Sequence, residues 1–255
     1  MQIDDGQIRR VTFDRPAQKN AMTGAVAREL ADAVGTVEAD THDAVLITGR
    51  GDAFSAGGDI EAMAAREETA AEAPARVRET LGAVAEAVLT APVPVVARVD
   101  GDAVGAGLSL VAVCDFAYAA ETARFGASFV NVGLVPDMGG TTILPRLVGL
   151  RRLKELAFTG ELVDADAAAE MDLLNAAVPA AELDDRVDDL LGTLGEQPTA
   201  NIGLAKQAIH DNLGRGWRDG LAHEAHVQSL AYDTPAHERG VEAFLAGDSP
   251  EFDDL

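Results

Sequence analysis

Short apolar runs bounded by turn residues recur along much of the chain. Runs of this kind at residues 44–48, 93–99, 114–119 and 176–178 predict short buried strands. Residues 1–13 place strand-forming side chains on both sides of an Asp-Gly turn, which predicts a hairpin. The pattern therefore predicts several strands, each separated from the next by a longer segment.

The segments between these strands have helical periodicity. Apolar side chains recur every three or four residues between positions 26 and 37, after Thr23, which is a favoured N-cap residue. Residues 60–90 are rich in Ala and Glu and predict helix with a break at Pro74. Further helices are predicted at residues 151–158, 164–171, 181–194, 198–213 and 220–245, with breaks at Pro145 and Pro235.

Alternation of strands and helices predicts an α/β fold. The 255 residues are enough to bury a sizeable core. From about residue 197 the pattern becomes wholly helical. We therefore predict a mixed core over residues 1–196 and a helical region over residues 197–255.

Two glycine-rich turns, at residues 54–60 and 101–107, are the first candidate functional features. Gly105 and Gly107 would let a ligand approach the backbone closely, just before an apolar run at residues 108–113 that predicts a buried helix. A backbone N–H at the start of that helix would face the ligand, which is how an oxyanion hole is built. The alternative is plain packing of a helix against a strand, for which such glycines are also typical.

The charge balance narrows the possible partners. The chain has 43 Asp and Glu against 20 Lys and Arg, a formal net charge of −23. Such a surface repels nucleic acid and anionic membranes, so we expect neither as a partner. Two interpretations of the charge stand: a merely acidic protein, or adaptation to high intracellular salt, which screens the self-repulsion. The composition resembles that of haloarchaeal proteins.

The remaining chemistry-bearing residues exclude several classes of site. Cys114 is the only cysteine, so no intrachain disulfide is possible, and its apolar neighbours predict a buried, unreactive thiol. His223 and His226 lie three residues apart without an evident third ligand, so we predict no metal site. The chain starts without an apolar signal core, and we expect a cytoplasmic protein.

Five stretches together resemble the crotonase superfamily, which is the enoyl-CoA hydratase/isomerase family. They are DRPAQKNAMT, VLITGRGDAFSAGGDIEAM, VDGDAVGAGLSLVAVCDFAYA, ARFGASFVNVGLVPDMGGTTILPRLVG and HERGVEAFL. The segment FVNVGLVPDMGGT is most similar to the branch of the family that contains epoxyphenylacetyl-CoA isomerase and enoyl-CoA isomerases.

This resemblance implies a fold, a substrate and an assembly. The fold is a spiral of repeated ββα units, here residues 1–196 as an acyl-CoA-binding core, with a helical trimerisation region at residues 197–255. The substrate is an acyl-CoA thioester, whose coenzyme A is part of the substrate, and no separate cofactor is implied. The assembly is a homotrimer or a dimer of trimers.

The resemblance also implies roles for single residues. The N–H groups of Gly58 and Ala106 would hold the thioester oxygen. Hydratases of the family carry two glutamates that activate water, whereas this chain has Ser109 and Phe129 at those positions. Asp137 occupies a position at which isomerases of the family carry an aspartate, which makes it the candidate catalytic carboxylate. Matching positions further predict CoA or substrate contacts by Lys19, Ala21, Ala56, Gly57, Asp59, Ile60, Val104, Gly105, Ser109, Phe129 and Met138.

Both acidic candidates also have a structural interpretation. Asp59 precedes a predicted helix and is expected chiefly as its N-cap. Residues 136–140 predict the entrance of another helix, which Asp137 could cap without catalysing anything. If Asp137 is catalytic, burial against Phe129 and Met138 should raise its pKa.

Three functions remain open from the sequence. The leading hypothesis is an acyl-CoA double-bond isomerase that uses an oxyanion hole and Asp137 as a single proton shuttle. The second is an enoyl-CoA hydratase of fatty-acid β-oxidation, in which Asp137 would activate water unaided. The third is a non-catalytic acyl-CoA-binding protein.

The acidic composition predicts that stability depends on salt. Crowded carboxylates repel one another, and salt screens that repulsion. We expect Tm to rise strongly between dilute buffer and molar salt when unfolding is followed by circular dichroism. A flat profile would contradict adaptation to high salt.

Overall fold

The computed structural model describes residues 1–252 of the chain. The strands within this range are β1 (Gln2–Asp4), β2 (Ile8–Phe13), β3 (Ala44–Gly49), β4 (Ala53–Ser55), β5 (Val95–Val99), β6 (Asp102–Val104), β7 (Phe116–Ala120), β8 (Arg124–Gly126), β9 (Val163–Asp164) and β10 (Ala176–Val178). The helices are α1 (Gly24–Gly35), α2 (Ile60–Ala64), α3 (Ala73–Val77), α4 (Ala83–Thr90), α5 (Ala106–Val113), α6 (Leu144–Thr159), α7 (Ala165–Glu170), α8 (Leu183–Gly195), α9 (Thr199–Asn212), α10 (Trp217–Tyr232) and α11 (Pro235–Ala246). A π-helical turn (Arg78–Gly82) joins α3 to α4, and 3₁₀ turns cover Pro16–Gln18, Ser128–Val132 and Ala180–Glu182.

Two sheets organise these elements. The larger has the strand order β1-β2-β3-β5-β7-β10 and is parallel except for the β1–β2 hairpin. The smaller has the order β4-β6-β8-β9. The pairs β3–β4, β5–β6 and β7–β8 each give their first strand to the larger sheet and their second to the smaller one. With α2 and α5 after the first two pairs, this is the spiral of ββα units that the resemblance predicted, and the α/β class is confirmed.

The core lies between the sheets and the helices. Helix α5 is buried along its whole length, and Ser109 is the one side chain in residues 108–113 that is not apolar. Phe13 and Phe54 meet edge to face, with ring centroids 6.0 Å apart. This packing joins β2 to β4, the strand that leads into the first glycine-rich turn.

Several predicted elements are confirmed with small shifts. Thr23 caps α1, and its side chain accepts a hydrogen bond from the N–H of Val26 over 3.3 Å. The strand predicted at residues 114–119 spans Phe116–Ala120 instead, so Cys114 lies at the end of α5. Burial raises the pKa of the Cys114 thiol, which agrees with the predicted low reactivity.

One proline does not act as the sequence predicted. Pro145 lies in the first turn of α6 and opens this helix rather than interrupting it. The break predicted at Pro74 is confirmed, since α2 ends at Ala64 and Pro74 lies in the first turn of α3. A proline is compatible with a first turn because the N–H groups there have no partner within the helix. The kink in α6 falls at Gly149, where φ is 77°. Residues 136–140 form turns, so α6 begins later than the predicted helix entrance.

The C-terminal helices are anchored to the sheet by a buried ion pair. The Nζ of Lys206 on α9 donates to Oδ2 of Asp115 over 2.7 Å and to the carbonyl oxygen of Val93 over 3.1 Å. Asp115 Oδ2 also accepts from the N–H of Val95 at the start of β5. The break predicted at Pro235 is confirmed between α10 and α11. The boundary at residue 197 stays a prediction. Within residues 1–252, no helix is both long and apolar enough to cross a membrane.

Substituting Lys206 tests this anchor. Lys206→Met should lower the free energy of unfolding by about 3–5 kcal/mol, because it leaves a buried carboxylate without its cation. For a chain of this size that corresponds to a fall in Tm of roughly 10 °C. The matched control is Lys154→Met, since Lys154 is exposed on α6. Equal Tm values for the two variants would contradict the anchoring role.

Candidate active site

The first glycine-rich turn is paired with the segment that precedes α1. The N–H of Met22 donates to the carbonyl oxygen of Gly57 over 2.7 Å, and the N–H of Asp59 donates to the carbonyl oxygen of Met22 over 3.0 Å. Met22 therefore bonds the residues on both sides of Gly58, and the N–H of Gly58 points away from this pairing. Among residues 1–252 that N–H has no acceptor.

The second turn provides another N–H of the same kind. Ala106 is the first residue of α5, so its N–H has no partner inside the helix. No acceptor for it occurs elsewhere in the described part of the chain. Gly105 precedes it with a φ of 56°, a left-handed value that glycine adopts without strain.

The two turns touch at Gly57. A Cβ atom on Gly57 would lie 2.7 Å from the carbonyl oxygen of Val104 and 2.9 Å from the nitrogen of Ala106. At Gly107, the residue after Ala106, a Cβ atom would collide with the carbonyl oxygen of Ser55. Because both positions lack a side chain, the backbones of the two turns approach closely at Gly57, which directly precedes Gly58. A close approach of this kind is compatible with an oxyanion hole formed by both turns.

Sequence reasoning missed the residues that hold the first turn. Asn20 is buried with a φ of 56°, and its Nδ2 donates to the carbonyl oxygen of Ala53 over 2.7 Å. The Oγ of Ser55 donates to the carbonyl oxygen of Asn20 over 2.9 Å. An asparagine beside the turn was the available signal, since asparagine tolerates left-handed backbone better than most residues.

Asp59 is engaged within the protein on both oxygens. Oδ1 accepts from the N–H of Ala62 over 2.9 Å, which confirms Asp59 as the N-cap of α2. Oδ2 pairs with Nη1 of Arg15 over 2.9 Å, and the same nitrogen donates to the carbonyl oxygen of Ala21. The Ala62 bond and the Arg15 guanidinium hold the pKa of Asp59 below its usual value, although burial opposes them. Both oxygens are thus used to fix the turn.

The predicted CoA contacts Lys19, Ala21, Ala56 and Ile60 lie along one rim of this turn. The N–H of Ala56 donates to the carbonyl oxygen of Lys19 over 2.9 Å. Lys19, Ala56 and Ile60 are exposed, whereas Ala21 is buried beneath them. Lys19 therefore adjoins Ala56 at the surface, and the first turn also exposes the apolar side chain of Ile60.

Asp137 lies on a strained loop beside these turns. Met138 is buried and has a φ of 48°, and Gly139 follows with a φ of 87°. A bulky residue in this conformation is strained, and strain of this kind is concentrated at functional sites. Met138 and Phe129 belong to the same hydrophobic core, so the loop is packed on that core through Met138.

One carboxyl oxygen of Asp137 has no protein partner. Its Oδ1 is buried and has no hydrogen-bond partner within residues 1–252. Burial raises the pKa of Asp137, while its own backbone N–H and the attraction of Arg76 oppose the rise. The predicted upward shift is confirmed. Asp137 does not cap α6, because Ile143 occupies the N-cap position and no side chain caps it.

Ser109 faces the same loop from α5. Its Oγ is buried and, in the described part of the chain, has no hydrogen-bond partner. A Cβ on Gly140 would lie 2.8 Å from this Oγ and 2.9 Å from the carbonyl oxygen of Asp137. Buried polar atoms are rarely left unpaired, so Ser109 and Asp137 together mark a place that a polar ligand would complete.

The comparisons with known proteins agree with this geometry. The model of the family described as "Enoyl-CoA hydratase/isomerase" matches residues 4–255. A probable enoyl-CoA hydratase of Rhodobacter capsulatus is 34% identical over 245 residues, which are 95% of this chain and 93% of that protein. The 1,2-epoxyphenylacetyl-CoA isomerase of Escherichia coli is 33% identical over 249 residues, 96% of this chain and 94% of that protein.

Among solved structures, an enoyl-CoA hydratase of Mycobacterium smegmatis superimposes with a TM-score of 0.91 at 32% identity, covering 98% of each chain. Sequence and fold thus match over nearly the full length, with the glycine-rich turns and the Asp137 loop inside the matched region. The chain belongs to the enoyl-CoA hydratase/isomerase family.

Proposed function

We propose that the protein is an acyl-CoA double-bond isomerase in which Asp137 carries the proton. The observation that supports this is a half-buried carboxyl group with a raised pKa and a buried, unpaired oxygen, on a loop that packs against α5, the helix that begins at Ala106. A raised pKa brings an aspartate closer to neutral pH, where it both accepts and returns a proton efficiently.

The reaction follows from these positions. The thioester oxygen accepts hydrogen bonds from Gly58 and Ala106, which draws electrons from the carbonyl group. Asp137 removes a proton from the carbon next to the carbonyl, and the electron pair spreads into a dienolate whose charge lies largely on the thioester oxygen. The neutral Asp137 then returns the proton to the far end of the dienolate, so the double bond has moved by one position. One carboxyl group performs both transfers without any group beyond the CoA thioester.

Hydration is the second candidate, because the Rhodobacter and Mycobacterium proteins are named as hydratases. The residues favour isomerisation. Ser109 is buried with a hydroxyl group and Phe129 is buried with an aromatic ring, and neither can act as a carboxylate base. Asp137 alone would have to orient a water molecule and also manage its proton. The Escherichia coli relative named as an isomerase supports the branch that the Asp137 loop resembles.

Substrate binding and assembly extend the same proposal. CoA would lie along the rim of Lys19, Ala21, Ala56 and Ile60. Residues 1–196 would bind the thioester, and residues 197–255 would join copies into a trimer or a dimer of trimers. Large exposed apolar side chains on the C-terminal helices support such a surface: Trp217, Leu221, Tyr232, Phe244 and Leu245. The charge of −23 supports a halophilic source.

Asp137→Asn tests the proton shuttle. The substitution keeps the size of the side chain but removes the base, and we expect turnover of a 3-enoyl-CoA to fall about 10²–10⁴-fold. Ser109→Ala should be milder, because the shuttle needs no hydroxyl group there. The matched control is Asp189→Asn, since Asp189 is exposed on α8. Product analysis by chromatography distinguishes an isomerised enoyl-CoA from a hydroxyacyl-CoA.

The same variant separates catalysis from stability. Because the pKa of Asp137 is raised on folding, ionising it costs stability above the folded pKa, and this cost vanishes below the unfolded pKa. Asp137→Asn should therefore be at least as stable as the parent at neutral pH. Near-normal isomerase turnover by Asp137→Asn would contradict the proposed mechanism.

The pH profile provides an independent test. The base is active as the carboxylate, so kcat/KM should fall as pH drops through the pKa of Asp137 in the free enzyme. Since burial raises that pKa, the midpoint should lie above the ordinary aspartate value of about 3.9. The profile is measured with a 3-enoyl-CoA at constant ionic strength. A midpoint at or below the ordinary value would overturn the assignment of the raised pKa to the catalytic base.

A further inference from the structure

A small cavity beside Gly58 is lined by arginines. It has a volume of about 230 Å³ and lies between the start of α1, helix α2 and the helical segment at residues 73–82. Arg28, Arg66 and Arg76 line it, together with Gly58. A cluster of three arginines stands out in a chain whose net charge is −23.

The acidic residues near the cavity do not neutralise these arginines. Asp59 is the only carboxylate in the lining, and its two oxygens already bind Arg15 and the N–H of Ala62. Glu68 is shared: its Oε1 lies 2.5 Å from Nε of Arg76 and 3.7 Å from Nη1 of Arg66. One carboxylate therefore serves two guanidinium groups, and the cavity keeps an excess of positive charge.

Arg28 has the most available guanidinium group of the three. Its Nη1 donates to the carbonyl oxygen of Gly24, one turn back in the same helix, over 3.3 Å. Within residues 1–252 it forms no ion pair with a carboxylate. Arginine binds carboxylates through a planar fork of donors, so a free one in a cavity suits an anionic oxygen pair.

The rest of the lining suits a short hydrocarbon chain. Met22, Ala27, Met63 and Leu81 give it an apolar wall between Gly58 and the arginines. The volume is below the range of about 300–1,000 Å³ that holds drug-sized ligands. The cavity thus combines the edge of the first glycine-rich turn at Gly58, a short apolar wall and cationic groups.

We propose that this cavity receives the distal end of an acyl chain that terminates in a carboxylate, which Arg28 and Arg76 bind. The substrate class is then the CoA monothioester of a short unsaturated dicarboxylic acid. The inference rests on the proposed function in one respect, because it places the thioester oxygen at Gly58 and Ala106. It does not require that Asp137 be the base.

The phosphates of CoA are the other source of anionic oxygens. The long pantetheine arm separates them from the thioester, whereas Gly58 itself lines the cavity. We therefore assign the arginines to the acyl carboxylate, and binding of free CoA distinguishes the two sources.

The test measures binding rather than turnover, so that it stands apart from the isomerase proposal. Two saturated acyl-CoA thioesters of equal chain length, one ending in a carboxylate and one in a methyl group, are titrated by calorimetry at fixed salt. Free CoA is titrated in parallel. We expect the parent to bind the carboxylate form at least about 10-fold more tightly than the methyl form.

Variants assign the effect to the arginines. Arg76→Gln and Arg28→Gln should each weaken binding of the carboxylate form about 10–100-fold and leave the methyl form and free CoA unchanged. The control is Arg152→Gln, since Arg152 pairs with Glu155 on the surface of α6. Glu68→Gln should have the opposite effect and strengthen binding of the carboxylate form, because it releases the guanidinium groups of Arg66 and Arg76. A damaged fold would not produce such a gain in affinity.

Three results would overturn the proposal. The first is equal affinity of the parent for the carboxylate and methyl forms. The second is that Arg76→Gln weakens binding of free CoA as much as it weakens binding of the carboxylate form. That result would assign the arginines to the CoA phosphates. The third is weaker binding of the carboxylate form by Glu68→Gln. If these binding results are obtained but Asp137→Asn remains active, the carboxylate site is supported and only the role of Asp137 as proton shuttle is rejected.

Discussion

The site depends on a steric constraint, the close approach of two backbones at Gly57. A Cβ there would meet the carbonyl oxygen of Val104 and the nitrogen of Ala106 at less than 3 Å, distances that real Cβ atoms essentially never show. Gly107 imposes the same condition against Ser55. The two turns that carry the N–H groups proposed as the oxyanion hole therefore approach each other closely because side chains are absent. Asn20 then fixes the first turn through its buried amide group.

The carboxyl groups of the candidate active site have a different environment from those of the acidic surface. Most carboxyl groups in the described part of the chain face solvent, where salt screens charge. Asp137 is instead buried without a hydrogen-bond partner for Oδ1 in the described part of the chain, and burial raises its pKa. Asp59, which lies in the first turn, has its pKa lowered because Ala62 and Arg15 satisfy both oxygens. The two aspartates thus differ in basicity because burial dominates at Asp137, whereas hydrogen bonds dominate at Asp59.

The sequence predicted local features well and tertiary contacts poorly. Thr23 and Asp59 were identified as caps because a cap acts on an N–H three residues away. Pro145 was placed wrongly because one residue type both breaks helices and begins them, and only the surrounding structure decides which. The arginine cavity could not be predicted from the sequence. Arg28 and Arg76 lie far apart along the chain and come together only because α1 packs against the segment at residues 73–82.

Arg76 links the two parts of the site. Arg76 lines the cavity and also attracts the charge of Asp137, which offsets part of the rise in pKa that burial causes at that carboxyl group. A substrate carboxylate bound at Arg76 would offset this attraction, so Asp137 would become a stronger base when the cavity is filled. A methyl-terminated chain would leave the attraction in place. Recognition of the distal end would then act on the proton transfer itself, by the same electrostatic coupling that shifts any carboxyl group between a cation and an anion. The specificity of such a site would appear in the chemical step as well as in binding.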